Sequence, residues 1–278
     1  MSGDRKTAEA FATSWNNLPG GSVYTRAQVA EWFAPLTESD VCGKTVLELG
    51  CGNASLLVHV AAWDPARIEG VDLGASVVAA KKNMRDAGHR NYMITQADLT
   101  TFVSDGFDLV YSIGVLHHLK NPASGFDSVI GNVKPGGRFH CWVYAREGNG
   151  IIIWLVDPLR KITSRLPWWV TKYLVATPLV LPYYFYAKAL RVLRHAAFLR
   201  KAPLYDYSLW IAQRDYAFFR HVAFDQLVTP QTAYLDKATI ESWLDHPRVE
   251  PGSTYLIFRN GNSWKFGGTV RSDAIAAR

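Results

Sequence analysis

The run Thr45-Val46-Leu47-Glu48-Leu49-Gly50-Cys51-Gly52-Asn53-Ala54-Ser55 constrains the fold more than any other stretch of this chain. A β-branched and apolar segment ends at Glu48, turns through two glycines and enters an apolar-rich segment. The pattern predicts a strand, a tight loop and a helix over Ala54–Ala62. Glycine accepts backbone conformations closed to other residues and lets a ligand approach without a Cβ in the way. A helix start adds free N–H groups and the positive end of the helix dipole. Such a junction holds a nucleotide-like ligand.

Downstream, short strands alternate with helices. Arg67–Leu73 reads as a strand ending at Asp72, and Ser76–Asp86 as a helix closed by Gly88. Asn91–Ala97 is a strand followed by Asp98, and Phe107–Ser112 another. Asn121 and Pro122 give a cap and a first-turn proline for a helix to Val133. The turn Lys134-Pro135-Gly136-Gly137 then leads into a strand over Arg138–Tyr144. Near the end, Asp236–Asp245 reads as a helix, with strands Tyr255–Phe258 and Trp264–Val270 around Asn260-Gly261-Asn262. This alternation predicts an α/β fold with a mostly parallel sheet covered on both faces. Ligands of such sheets sit beyond the carboxyl ends of the strands. Gly50–Gly52, Asp72, Asp98 and Ser112 all fall there.

Ahead of the glycine loop, Met1–Thr7 reads as a frayed terminus and Thr25-x-x-Gln28 as a capping box opening a short helix that stops before Pro35. Phe11, Trp15, Tyr24, Trp32 and Phe33 serve either as core packing or as a lid over the ligand, and residues 1–40 are assigned to that helical lid. The polar first residues lack the apolar stretch of a secretory signal. Three cysteines, Cys42, Cys51 and Cys141, form neither a CxxC pair nor an even framework. A reduced, cytoplasmic setting is therefore expected.

The texture changes after Tyr144. Residues 146–220 hold 12 Lys/Arg against 4 Asp/Glu and 15 of the 36 aromatic residues of the chain. That local excess of +8 exceeds the whole chain's +6, so the rest sums to −2. Trp168–Leu190 has the length of a membrane span, but Lys172, Pro178, Pro182, Lys188 and the Tyr183–Tyr186 cluster argue against a buried crossing. Two readings stay open: a segment lying on a membrane surface, or a helical cap whose apolar faces pack on the core or a second copy. Residues 146–229 are assigned to this helical insertion, and 41–145 with 230–278 to the ligand-binding core.

A dinucleotide fingerprint places its third small residue where Ser55 stands, a poor match. Glu48-x-Gly50-x-Gly52-x-Ala54 instead resembles motif I of the class I S-adenosylmethionine-dependent methyltransferases. Asp72 in Gly70-Val71-Asp72-Leu73 and the stretch Ala97-Asp98-Leu99 are similar to that family's second and third strand ends. Phe107–Ser112, Val115-Leu116-His117-His118-Leu119 and Lys134-Pro135-Gly136-Gly137-Arg138 resemble its fourth strand and the turn before the fifth. Phe11 with Ser14-Trp15-Asn16 echoes its quinone, sterol and small-molecule subgroup. The resemblance implies a Rossmann-like seven-stranded sheet with an antiparallel last strand and S-adenosylmethionine as cofactor. It implies cofactor contacts from Trp15 and Tyr24, from Glu48, Gly50, Cys51, Gly52 and Asn53, and from Asp72, Leu73, Asp98, Leu99, Ser112 and Ile113. Asp72 is placed to accept hydrogen bonds from both ribose hydroxyls.

Methyl transfer from a sulfonium needs chiefly an aligned acceptor in a dry pocket. An oxygen acceptor must also lose a proton, and histidine suits that role. His117 and His118, after the fourth strand, are the candidate bases, with His117 slightly preferred over its neighbour; a purely structural role for both is the competing reading. No Asn/Asp-Pro-Pro-Tyr/Phe segment follows the fourth strand, which disfavours amino-group methylation of adenine or glutamine. No clustered Asp/Asn set predicts a metal. The favoured expectation is methyl transfer to an oxygen of a small amphipathic or lipid-linked acceptor, with 146–220 touching the inner face of a membrane. The alternatives are an RNA methyltransferase using the basic insertion, and a non-catalytic subunit that binds a protein partner through it.

Overall fold

A computed structural model describes residues 3–16 and 24–273. Its centre is one seven-stranded sheet in the order β3-β2-β1-β4-β5-β7-β6. The strands are β1 (Thr45–Leu49), β2 (Arg67–Asp72), β3 (Tyr92–Gln96), β4 (Phe107–Ile113), β5 (Val133–Tyr144), β6 (Tyr255–Arg259) and β7 (Ser263–Thr269). The first five run parallel, and β7 lies antiparallel to both of its neighbours. β1 is apolar and almost wholly buried because helices cover both of its faces, as parallel central strands require. The α/β expectation and the antiparallel ending are both met.

Helices α1 (Gly3–Asn16) and α2 (Arg26–Phe33) precede the sheet. Helix α1 begins at Gly3, so the terminus expected to fray over Met1–Thr7 is helical from there. The capping box at α2 is present: Thr25 N–H donates to Gln28 Oε1 at 2.9 Å, and Gln28 N–H to Thr25 Oγ1 at 3.3 Å. Helices α3 (Leu57–Ala61), α4 (Val77–Asp86) and α5 (Pro122–Gly131) cross between the parallel strands. One core, with Leu47, Val110, Phe126 and Phe266, lies on one face of the sheet. The other, with Phe33, Val46, Leu57 and Met84, lies on the opposite face.

Two boundaries differ from the sequence reading. Helix α3 starts at Leu57 rather than Ala54, because Ala54 takes φ +65° and the chain turns through Asn53–Leu56 first. The glycine loop is therefore not followed directly by a helix end with free N–H groups. Lys134–Gly137 is no turn between elements but an irregular stretch of β5 itself, where the register to β4 shifts between Phe107 and Leu109. Gly136 absorbs that irregularity at φ +76°.

Between β5 and helix α10 (Lys237–Leu244) the chain leaves the sheet for a helical insertion. It contains α6 (Gly150–Thr163), a π-helical stretch Val170–Ala176 running into α7 (Thr177–Val192), then α8 (Tyr205–Ile211) and α9 (Tyr216–Val228). Pro178 and Pro182 remove backbone donors there, and the wider π winding lies just ahead of them. Phe219 and Phe224 anchor two small cores of the insertion's own. Exit and return are adjacent: Leu235 N–H donates to the Tyr144 carbonyl at 3.0 Å and Arg146 N–H to the Leu235 carbonyl at 2.9 Å.

Candidate functional site

The carboxyl ends of β1, β2 and β4 open on a cavity of about 450 Å³. Its floor is the glycine loop. Gly50 at φ +86° turns the chain away from the strand, and Gly50 N–H and Cys51 N–H both donate to the Val71 carbonyl, at 2.7 and 3.0 Å. Asp72 locks the loop from the neighbouring strand. Its Oδ2 accepts from Gly52 N–H at 2.9 Å, and its Oδ1 from Gly74 N–H at 2.8 Å and the Ser76 hydroxyl at 3.2 Å. Each carboxylate oxygen has further lone pairs, so Asp72 still faces the cavity as an acceptor. Burial raises its carboxyl above the usual carboxylate range, against three hydrogen bonds that pull it down.

Glu48 lies deeper, 1% exposed, accepting from the Tyr111 hydroxyl at 3.1 Å. Its carboxyl is pushed up to about 8, by burial first; the Tyr111 hydrogen bond opposes this and the charge of Asp72 adds to it. Among the described residues no Lys, Arg or His forms an ion pair with Glu48 or Asp72. A buried and a half-buried acid with no countercharge of their own make a site for a positively charged ligand. Asp98 completes the acidic side of the cavity, with Oδ1 accepting from Thr100 N–H and Oγ1 at 2.9 and 2.7 Å. Asp98 is therefore both a turn former and a cavity residue.

Of the residues expected to touch a cofactor, Tyr24, Glu48, Gly50, Cys51, Gly52, Asn53, Asp72, Leu73, Asp98, Leu99 and Ile113 all line this cavity. Ser112 does not line it: its hydroxyl is buried on the opposite side of β4 from Ile113 and donates to the Leu49 carbonyl at 2.8 Å. The side chain of Trp15 lies outside the described residues.

The two histidines separate. His118 lines the cavity, with Phe11 edge-on at 4.8 Å between ring centroids. Its Nδ1 meets the Gln231 carbonyl and the Thr232 hydroxyl, each at 3.1 Å. A nitrogen facing a carbonyl carries the proton, which leaves the lone pair on Nε2. Burial depresses the imidazolium to about 3, against the Gln231 hydrogen bond, so the ring is neutral at pH 7. His117 is fully buried outside the cavity lining, tilted against the Tyr144 ring with centroids 4.1 Å apart. Neither of its ring nitrogens has a hydrogen-bond partner among the described residues. The preference for His117 therefore passes to His118.

Several lining residues escaped the sequence reading. Trp142 and Tyr144 alternate along β5 onto the cavity side, a spacing of two that the strand prediction already contained. Trp32, named among the aromatics that serve as core packing or as a lid, arrives from α2, whose end is tied to β5 by His140 Nε2 meeting the Trp32 carbonyl at 2.8 Å. Beyond them the cavity continues into the insertion, between Ile152 and Val156 of α6, Val180 and Tyr183 of α7, Tyr207 and Ile211 of α8 and Phe219 of α9. This part is mostly apolar, and its polar points are the phenols with His221, Asp225 and Gln226 of α9. No cluster of metal-ligating side chains occurs among the described residues.

Comparisons with known proteins converge on one family. A family described as a methyltransferase domain matches residues 47–139. The phthiotriol/phenolphthiotriol dimycocerosates methyltransferase of Mycobacterium tuberculosis is 30% identical over 148 residues, 50% of this chain and 53% of that protein. The ubiquinone biosynthesis O-methyltransferase of Pseudomonas syringae is 31% identical over 103 residues, 36% of this chain and 44% of that protein. The chain thus spans about half, or less, of the curated relatives it matches. Among solved structures, the magnesium protoporphyrin IX methyltransferase of Synechocystis, with S-adenosylmethionine bound, superposes with a TM-score of 0.54. That match covers 98% of each chain at 12% identity, which establishes a shared fold. The matched domain, the strand order and this superposition give the chain a methyltransferase domain over residues 47–139 set in the fold of class I S-adenosylmethionine-dependent methyltransferases.

Proposed function

We propose that this chain transfers a methyl group from S-adenosylmethionine to an oxygen of an amphipathic acceptor with a long apolar portion. The observation that carries the proposal is the continuity of the cavity from the glycine loop into the apolar interior of the insertion. The donor fits the near end. Two acids without a countercharge, the buried Glu48 and the half-buried Asp72, suit a ligand that carries a sulfonium and an ammonium, and Asp72 and Asp98 have lone pairs left to accept from ribose hydroxyl and adenine amino groups. Gly50, Gly52 and Asn53 supply the backbone against which it lies. When bound, the donor presents an electrophilic methyl group.

The chain's own contribution is to align the acceptor, exclude water and move one proton. Trp32, Trp142 and Tyr144 wall the junction between the donor and acceptor ends, keeping the reacting atoms dry. His118 Nε2, neutral and bearing a lone pair, takes the hydroxyl proton as the oxygen is alkylated. Nδ1–H, held by the Gln231 carbonyl, stabilises the imidazolium that forms. The relative named as an O-methyltransferase supports oxygen as the acceptor atom.

The test is methyl transfer from isotopically labelled S-adenosylmethionine to total lipid extract and to a water-soluble metabolite pool. Label entering an organic-phase product that is cleaved as a methyl ether or ester supports the proposal. Label found only in water-soluble products, or in RNA, overturns it.

A further inference from the structure

From Pro158 to Tyr205 the chain carries nine Lys/Arg and no Asp or Glu. Six of the nine, Lys161, Arg165, Arg191, Arg194, Arg200 and Lys201, are exposed. The apolar side chains of the same region also point outwards. On α6 the exposed residues Ile151, Trp154, Leu155 and Ile162 repeat at helical spacing, and on α7 Leu181, Phe185 and Val192 do the same. Trp154 is 79% exposed, Phe198 76% and Phe185 63%. The inner faces are already used: Val156 and Leu159 of α6 pack on a core of the insertion, and Val180, Ala187 and Leu190 of α7 are buried. These helices are thus apolar on both sides, whereas a helix facing water has a polar outer face.

We propose that this outer face of the insertion docks on an anionic phospholipid surface, with the cavity mouth opening into it. Among the described residues no helix is long and apolar enough to cross a membrane. Short helices with an outward apolar stripe flanked by cations lie instead in the plane of the interface. From Ile151 to Tyr205 the single acid, Asp157, is paired with Arg160 at 2.6 Å against nine cations, and this excess of positive charge selects the partner. Two copies of this face would repel one another, whereas the negative potential of anionic lipid attracts it. The mouth is placed by Ile151, Leu155 and Leu179, which are exposed and also line the cavity. An acceptor dissolved in the bilayer then reaches the donor without passing through water. Docking is independent of which acceptor is methylated; only the route of entry rests on the apolar-acceptor reading.

The experiment is flotation of the full chain with vesicles of phosphatidylcholine alone, and with about one-third phosphatidylglycerol, over a salt series. The chain is expected to float with the anionic vesicles and to be released by salt. R165Q/R200Q/K201Q should lower partitioning onto anionic vesicles on the order of a hundredfold, about fivefold per cation. W154S/F185S/F198S should abolish flotation with either vesicle. Calorimetry with S-adenosylhomocysteine, unchanged in both variants, shows that the core is intact. Absence of flotation by the unmodified chain, or flotation unchanged in both variants, overturns the proposal. So does self-association in sedimentation that W154S/F185S/F198S removes while vesicle binding is absent, since the occupant is then a second copy. Flotation as expected, with labelled methyl groups appearing only in water-soluble products, leaves docking standing and refutes the apolar acceptor.

Discussion

Replacing Glu48 by Gln tests whether the acid beneath the glycine loop is held protonated by burial. The carboxyl titrates near 4.5 when solvated and is pushed up to about 8 in the folded chain. Since the folded value lies above the unfolded one, its contribution to stability is complete below about 4.5 and is lost as the pH rises through about 8. At about 1.4 kcal/mol per pH unit, that window costs the folded chain on the order of 4 kcal/mol between about pH 5 and about pH 9. Glutamine has the same shape, keeps an oxygen for the Tyr111 hydroxyl and does not titrate. Thermal unfolding of the ligand-free protein, followed by circular dichroism across this pH range, should show the two profiles close together near pH 5. By about pH 9 the E48Q variant should be the more stable, by roughly 8 °C at about 2 °C per kcal/mol for a chain of this size. Saturating S-adenosylmethionine should narrow the gap, because a bound cation favours the carboxylate. Parallel profiles in the absence of ligand would refute the reasoning that burial without a countercharge governs this site.

Three further outcomes are expected. Asp72→Ala removes three hydrogen bonds within the loop as well as the acceptor facing the cavity. It should weaken S-adenosylhomocysteine binding by about tenfold or more by calorimetry, and an unchanged affinity removes Asp72 from the donor site. His118→Gln should lower kcat for an oxygen acceptor by roughly a hundredfold to a thousandfold with donor affinity retained; an unchanged kcat makes His118 structural. Gly50→Ala places a Cβ 2.4 Å from Val115 Cγ2 at a backbone φ of +86°. It should cost on the order of 1–3 kcal/mol in urea unfolding and weaken the donor; wild-type stability would mean that the loop rearranges freely.

The glycine-loop half of the cavity was legible because its determinants are local. The β1 loop, Asp72 and Asp98 each follow a strand, so a correct strand assignment also places them at one edge of the sheet. What the sequence concealed depends on orientation or on distant partners. Ser112 and Ile113 are adjacent at the end of β4, but neighbours in a strand face opposite sides, and only Ile113 reaches the cavity. The same applies to His117 and His118: one turn of 3₁₀ helix sends one ring beneath Tyr144 and the other towards Phe11. The late start of α3 follows from Asn53, whose side chain accepts from Ser55 N–H at 3.2 Å and the Ser55 hydroxyl at 2.6 Å, a local turn that competes with the helix. The acceptor wall is assembled from Trp32, Trp142, Tyr183 and Tyr207, residues on four different elements. No spacing rule joins them.

The pairing of Tyr144 with Leu235 has a consequence for how such an enzyme diversifies. Two backbone hydrogen bonds bring the ends of the insertion together on the sheet, so the core closes that loop whatever lies inside it. Lengthening, shortening or exchanging the intervening helices leaves the strand register and the glycine loop untouched. The glycine loop and the far end of the cavity are thereby placed on separately replaceable pieces of one chain, with Trp32, Trp142 and Tyr144 as the wall they share. A cassette cut between Ala145 and Tyr234 is the natural unit for recombining this protein with its relatives, exchanging the far end of the cavity while the glycine loop is kept.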